Sequence, residues 1–169
     1  NPYGVIYNPY SVQEVLQHVL GFRSADDSDF VQVGGVWHSY LHHGSFGHIQ
    51  KEALEQKIEQ VRNETLAFLK KADFLFVTFG TAWVYQLRET RRIVANCHKM
   101  PEKQFHRFRL SSCDIVDELN QLIRHLKDLN PALKIIFTIS PVRHLRDGAT
   151  ENQLSKAVLM LAVHELVAM

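Results

Sequence analysis

Two polar clusters stand directly after apolar runs, and both contain residue types able to hold a reacting group. The first is Ser140-Pro141-Val142-Arg143-His144-Leu145-Arg146-Asp147-Gly148, after the run at 134–139. The second is Gly80-Thr81, after the run at 74–79. Open α/β folds put their chemistry in the crevice beyond the carboxyl ends of the strands, so hydroxyl, imidazole and guanidinium groups there are candidates to bind substrate. Gly80 lets a ligand approach the backbone closely, Thr81 offers a donor, and Asn96 offers another if it returns to the same place. Each has a plainer reading. Gly80-Thr81 suits a tight turn out of a strand and Asn96 a hairpin brace. Ser140-Pro141 suits a strand exit, while Arg143, Arg146 and Asp147 suit a solvated loop closing on Gly148.

Ten histidines and two cysteines raise the question of a metal. His42-His43 with His48, or Cys97-His98 with Cys113, supply the right atoms at poor spacing. There is no Cys-x-x-Cys and no His-Glu-x-x-His, so no metal is expected. Cys97 beside His98 is either a thiol activated by a neighbouring imidazolium or a packed one. Gly-x-Gly-x-x-Gly, the phosphate-cradling Gly-x-x-x-x-Gly-Lys-Ser/Thr and Gly-x-Ser-x-Gly are all absent from the sequence. No dinucleotide or nucleotide cofactor is therefore expected.

The elements that must position these groups follow from periodicity. Ser11 and Glu14 form a capping box before a helix at 12–20, which Gly21 ends. Residues 30–40 suit two short strands around Gly34-Gly35. Leu54, Ile58, Val61 and Phe68 mark one face of a helix over 49–70. The unbroken run 74–79 predicts a strand buried on both faces. A β-hairpin is expected from 83–87 and 92–95, and a helix from the stripe 115–129, which Asn130-Pro131 stops. The strand 134–139 follows, then a helix with Thr150 and Gln153 as capping box. Two apolar strands joined through a helix predict a parallel pair in a doubly wound α/β sheet, with 78–81 and 140–144 side by side on one rim.

A chain of 169 residues, 46% hydrophobic, suits one domain. Its 19 Lys and Arg against 18 Asp and Glu argue against nucleic acid or an anionic membrane as partner. No apolar run reaches the roughly 20 residues that span a bilayer. Two cysteines favour a reduced, cytoplasmic setting. The start at Asn1 and the helix-like end at Met169 read as a fragment, which would leave sheet edges unpaired and promote self-association.

Phe79-Gly80-Thr81-Ala82-Trp83-Val84-Tyr85, then 95–99 (Ala-Asn-Cys-His-Lys), then 140–148 with Glu151-Asn152-Gln153-Leu154-Ser155-Lys156, taken together, resemble the GSCFA family. Asn1-Pro2-Tyr3-Gly4 through Pro9 and His43-Gly44-Ser45-Phe46 resemble its earlier blocks, so the likeness spans nearly all of 1–169. The resemblance implies a single three-layer α/β/α domain, flavodoxin-like and similar to SGNH or GDSL hydrolases, with an inserted β-hairpin. It implies an esterase or acyl transferase acting on an ester or acylated carbohydrate, the alternative being a non-catalytic binding module. It places Gly4, Gly80, Thr81, Asn96, His98, Ser140, Arg143 and His144 at oxyanion or substrate positions. It also implies what is missing: neither the Gly-Ser-Cys-Phe-Ala block with its serine nor an Asp-x-x-His pair beyond Ser140 occurs in 1–169. No catalytic residue is therefore assigned within the chain. At the strand end where relatives carry Gly-x-Asn, this chain has Gly80-Thr81-Ala82, so either Thr81 substitutes for that asparagine or Asn96 returns to the site from the hairpin.

Overall fold

The computed structural model describes residues 2–143, 146 and 148–169. His144 lies outside the described residues.

Helix α1, Pro9–Leu20, starts one residue after Asn8, whose side chain accepts from the Ser11 N–H at 2.8 Å. The start signal is thus Asn8-Pro9, a side-chain cap followed by a residue with φ already set, and not Ser11, which lies inside the helix. Gly21 closes it at φ 84°, where a side chain would be strained. Strands β1, Phe30–Val33, and β2, Val36–Ser39, form the expected hairpin, with Gly34 and Gly35 both at positive φ as a tight turn of the right twist requires. Helix α2, Lys51–Leu69, buries Leu54, Ile58 and Leu69. Phe68, read as part of that stripe, is instead 65% exposed.

Strand β3, Phe74–Phe79, is followed by β4, Trp83–Leu87, and β5, Ile93–Val94. A third strand, β6, Phe105–Arg109, was not expected. It makes the predicted hairpin a three-stranded sheet in the order β5-β4-β6. Helix α3, Ser112–Leu129, begins at a capping box of Ser111 and Asp114. Strand β7, Lys134–Ile139, pairs with β3 in parallel, from Phe74 against Lys134 to Phe79 against Ile139. Helix α4, Gly148–Ala168, follows. The architecture is therefore mixed α/β with a parallel sheet, as the order of elements predicts.

Val77 and Phe79 of β3 meet Leu119 and Leu126 of α3, Leu159 and Ala162 of α4, and Leu54 and Ile58 of α2 in one continuous core. The other side of β3 departs from expectation. Phe74 is 48% and Phe76 66% exposed, so the strand is covered on one face and not on both. An unalternating sequence states that both faces are apolar; it does not state that a layer lies against each.

The edge of β3 away from β7 is also open. Asp73 and Phe79 carbonyls accept from the Lys134 and Ser140 amides, so the odd-numbered residues of β3 turn their backbone groups toward β7. Phe74, Phe76 and Thr78 turn theirs the other way, where no described residue pairs with them.

Candidate functional site

The carboxyl ends of β3 and β7 meet beneath the first turns of α4. Lys156 sits there with its ammonium donating to the Gly80 carbonyl at 2.6 Å and the Ser140 carbonyl at 2.7 Å. One charge thus ties the two strand ends together through charge-assisted bonds, the stronger kind. Partial burial holds the Lys156 pKa below the ordinary lysine range. Ser155 is buried and accepts from the Ala82 N–H at 2.8 Å, and its hydroxyl meets that of Thr81 at 3.2 Å.

The rim brings together three of the residues singled out in the sequence: Gly80, Thr81 and Ser140. Their polar atoms are already engaged. The Gly80 and Thr81 amides both donate to the Tyr7 carbonyl, at 2.7 and 3.2 Å. Thr81 Oγ1 accepts from the Trp83 amide at 3.1 Å, and Ser140 Oγ from the Val142 amide at 3.2 Å. Arg143 is exposed just past β7.

The remaining candidates lie elsewhere. Gly4, at φ 76°, packs so closely on His43 that a Cβ would come within 2.5 Å of the His43 Cβ. It lines a mainly apolar cavity of about 780 Å³ along the open edge of β3, with Val5, Val15, Phe68, Phe76 and Thr78 also on its walls. Asn96 donates its N–H to the Tyr40 carbonyl and accepts from the His98 N–H at 2.9 Å. That bond holds His98 at φ 45°, a conformation that costs a non-glycine residue about 1 kcal/mol or more. His98 Nε2 then donates to the Ser39 carbonyl at 2.7 Å, and its ring stacks on His38 at 4.5 Å. Asn96 and His98 therefore fasten the loop after β5 to the β1–β2 hairpin. Burial pushes the neighbouring Cys97 thiol up to about 11, so it is a packed thiol at neutral pH and not an activated one.

Beside the rim, β4 and β6 present a face of alternating aromatic and basic residues. Trp83 stands opposite Arg109 and Tyr85 opposite Arg107. The Arg107 guanidinium lies 4.2 Å from the Trp83 ring centre and 5.5 Å from that of Tyr85, and Arg109 lies 5.8 Å from Trp83. Arg109 pairs with Glu151 in the first turn of α4 at 2.7 Å. Arg146 donates to the Tyr85 hydroxyl at 2.7 Å and to Glu102 at 2.9 Å. These contacts run from the hairpin insertion to the first turn of α4 and to Arg146 just before it.

Sequence reasoning counted Tyr7, Ser155 and Lys156 only within blocks that resemble the family and gave none of them a role at the site. One signal was available for Ser155. The buried stripe of α4 runs Asn152, Ser155, Leu159, Ala162, Leu166, and two polar residues inside an otherwise apolar stripe must have partners. No comparable signal marked Tyr7, which works through its backbone carbonyl.

Among the described residues no group of three or more His, Cys, Asp and Glu side chains is placed to hold a metal ion, and no helix is long and apolar enough to cross a membrane. Comparison with curated proteins and with solved structures returns no match. The sequence profile of the GSCFA family matches residues 1–169, so the chain belongs to the GSCFA family.

Proposed function

We propose that this chain supplies the substrate-holding rim of an SGNH-like esterase or acyl transferase that acts on an ester or acylated carbohydrate. The observation that carries the reading is the Lys156 bridge, which sets the carboxyl ends of two parallel strands, with Thr81 and Ser140, around one crevice. That is where open α/β sheets bind ligands. In this reading the nucleophile is a Gly-Ser-Cys-Phe-Ala serine outside residues 1–169, and the rim orients the acyl group toward it. The test is labelling of the full-length protein by a fluorophosphonate, with p-nitrophenyl acetate cleavage as a second readout. A folded full-length protein that neither labels nor cleaves refutes it.

A non-catalytic binding module is the second reading, favoured by one observation. The amides of Gly80 and Thr81 are both taken by the Tyr7 carbonyl, leaving neither to stabilise an oxyanion without a rearrangement. Under this reading the full-length protein binds its ligand at the rim and turns nothing over.

A further inference from the structure

The face formed by β4 and β6 narrows the class of ligand. Aromatic side chains next to a crevice are a common means of holding a sugar ring, but here the face of Trp83 is occupied. The Arg107 guanidinium carbon lies over it, 4.2 Å from the ring centre, and that of Arg109 lies near the same ring at 5.8 Å. An arginine guanidinium holds its N–H groups in one plane as a fork, which suits the paired oxygens of a carboxylate or phosphate.

The charge around this face points the same way. Among the described residues it gathers Arg107, Arg109 and Arg146, against the carboxylates of Glu102 and Glu151, with Lys156 at the adjoining strand ends, in a chain whose formal net charge is only +1. Both carboxylates lie on the surface, with side-chain exposures of 78% and 40%, where ion pairs contribute little and exchange readily. A ligand oxyanion can displace either from its arginine at small cost.

We infer that the β4–β6 face beside the strand ends binds the oxyanion of an acidic ligand, a carboxylate or a phosphate carried by a small substrate, with Arg109 and Arg146 as the contacting groups. The inference rests on taking the rim as the binding site, and it requires no catalysis.

The chain has two tryptophans, Trp37 and Trp83, so a Trp37→Phe protein reports on Trp83 alone. Titrating it with glucuronate, glucose 6-phosphate and glucose at constant ionic strength separates carboxylate, phosphate and neutral sugar. A saturable change in Trp83 fluorescence with one or both acidic sugars is expected, at least tenfold tighter than with glucose and weakened by added salt. Arg109→Gln should weaken it about tenfold or more, the loss of a hydrogen bond to a charged group. Arg146→Gln, at a side chain 62% exposed and safe for folding, should weaken it in the same direction. Equal response to glucose, no response to either acidic sugar, or a response unchanged in both variants overturns the inference. Acidic sugars that bind to a full-length protein inert to fluorophosphonate leave the inference standing and remove the acyl-transfer reading. Cleavage of neutral esters without acidic-sugar binding does the reverse.

Discussion

Acid should unfold this protein through a buried histidine before its carboxylates are protonated. His42 is 2% exposed, packed between Tyr3 at 5.6 Å and Phe46 at 4.8 Å, with Nδ1 2.8 Å from the Ser39 hydroxyl and the His18 ring edge-on at 6.3 Å. Burial is the main reason its pKa falls to about 3, and the positive charges that His18, Arg23 and His98 carry or would acquire push the same way. The folded pKa is below the unfolded value near 6.5. The unfolded chain therefore binds the extra proton first, and stability is complete above the unfolded pKa and lost as pH falls toward the folded one. From pH 7 to pH 5 the His42 contribution to that loss is about 2 kcal/mol, equivalent to roughly 4–8 °C in Tm for a chain of this size. Burial also depresses His18 and His98, adding loss of the same sign. Glu14, held above its usual range by burial, works in the opposite sense. Comparison with His42→Asn cancels these shared contributions. The amide can still reach the Ser39 hydroxyl but does not titrate, so the variant should be less stable at pH 7 yet lose about 2 kcal/mol less on going to pH 5. Urea or thermal melts of both proteins at the two pH values measure this. An equal loss in the two proteins refutes the assignment.

Asn130 donates from one side-chain nitrogen to the Leu69 and Ala72 carbonyls, both at 2.9 Å, and accepts from the Ala132 amide. Asn130→Ala leaves these groups buried without that partner and should cost about 2–3 kcal/mol in a denaturant melt; a cost under about 0.5 kcal/mol would contradict that role. Lys156→Met keeps the stem but releases the Gly80 and Ser140 carbonyls, so it should destabilise by about 1–3 kcal/mol, and in the full-length protein it should slow fluorophosphonate labelling. Unchanged stability and labelling would show that the bridge holds nothing together. The amides of Phe76 and Thr78 face the open edge of β3 while those of Val77 and Phe79 face β7, so hydrogen exchange should be fast at the first pair and slow at the second. Uniform protection along β3 at low protein concentration would mean that the edge is paired, and protection that appears only on concentrating the sample would mean self-association through it.

The parallel pair was legible because its signal is dense: five apolar residues among the six between Asp73 and Gly80, and four among the six of 134–139 after Asn130-Pro131, with a strong helical stripe between them. β6 was not, because its outward-facing basic residues broke the run. His106, Arg107 and Arg109 leave 105–109 without a strand signal, so the segment carried no assignment, yet Arg107 and Arg109 are in the strand because their cross-strand neighbours Tyr85 and Trp83 receive them. A pairing of that kind joins residues more than twenty positions apart and has no local period. The start of α1 was misplaced for the opposite reason. Ser11 and Glu14 fit a capping pattern locally, but Asn8 followed by proline satisfies the same need three residues earlier, leaving Ser11 inside the helix.

The candidate site divides along the same line. Gly80, Thr81 and Ser140 could be placed together because strand ends converge by topology, and topology follows from element order. What holds them is set by side chains from the far end of the chain and by backbone groups from the near end. Lys156 reaches both strand ends from a helix whose other buried residues are mostly apolar, and the Tyr7 carbonyl takes the two amides that a catalytic reading would reserve for an oxyanion. The second contact bears most directly on mechanism. If the rim stabilises an oxyanion through Gly80 or Thr81, the 5–8 segment must first move away from β3; if it does not move, the charge that meets a ligand comes from the arginines of β4–β6 and from Lys156. Under the inference above an acidic ligand needs only to displace a surface carboxylate from Arg109 or Arg146, whereas acyl transfer through those two amides requires the rim to open.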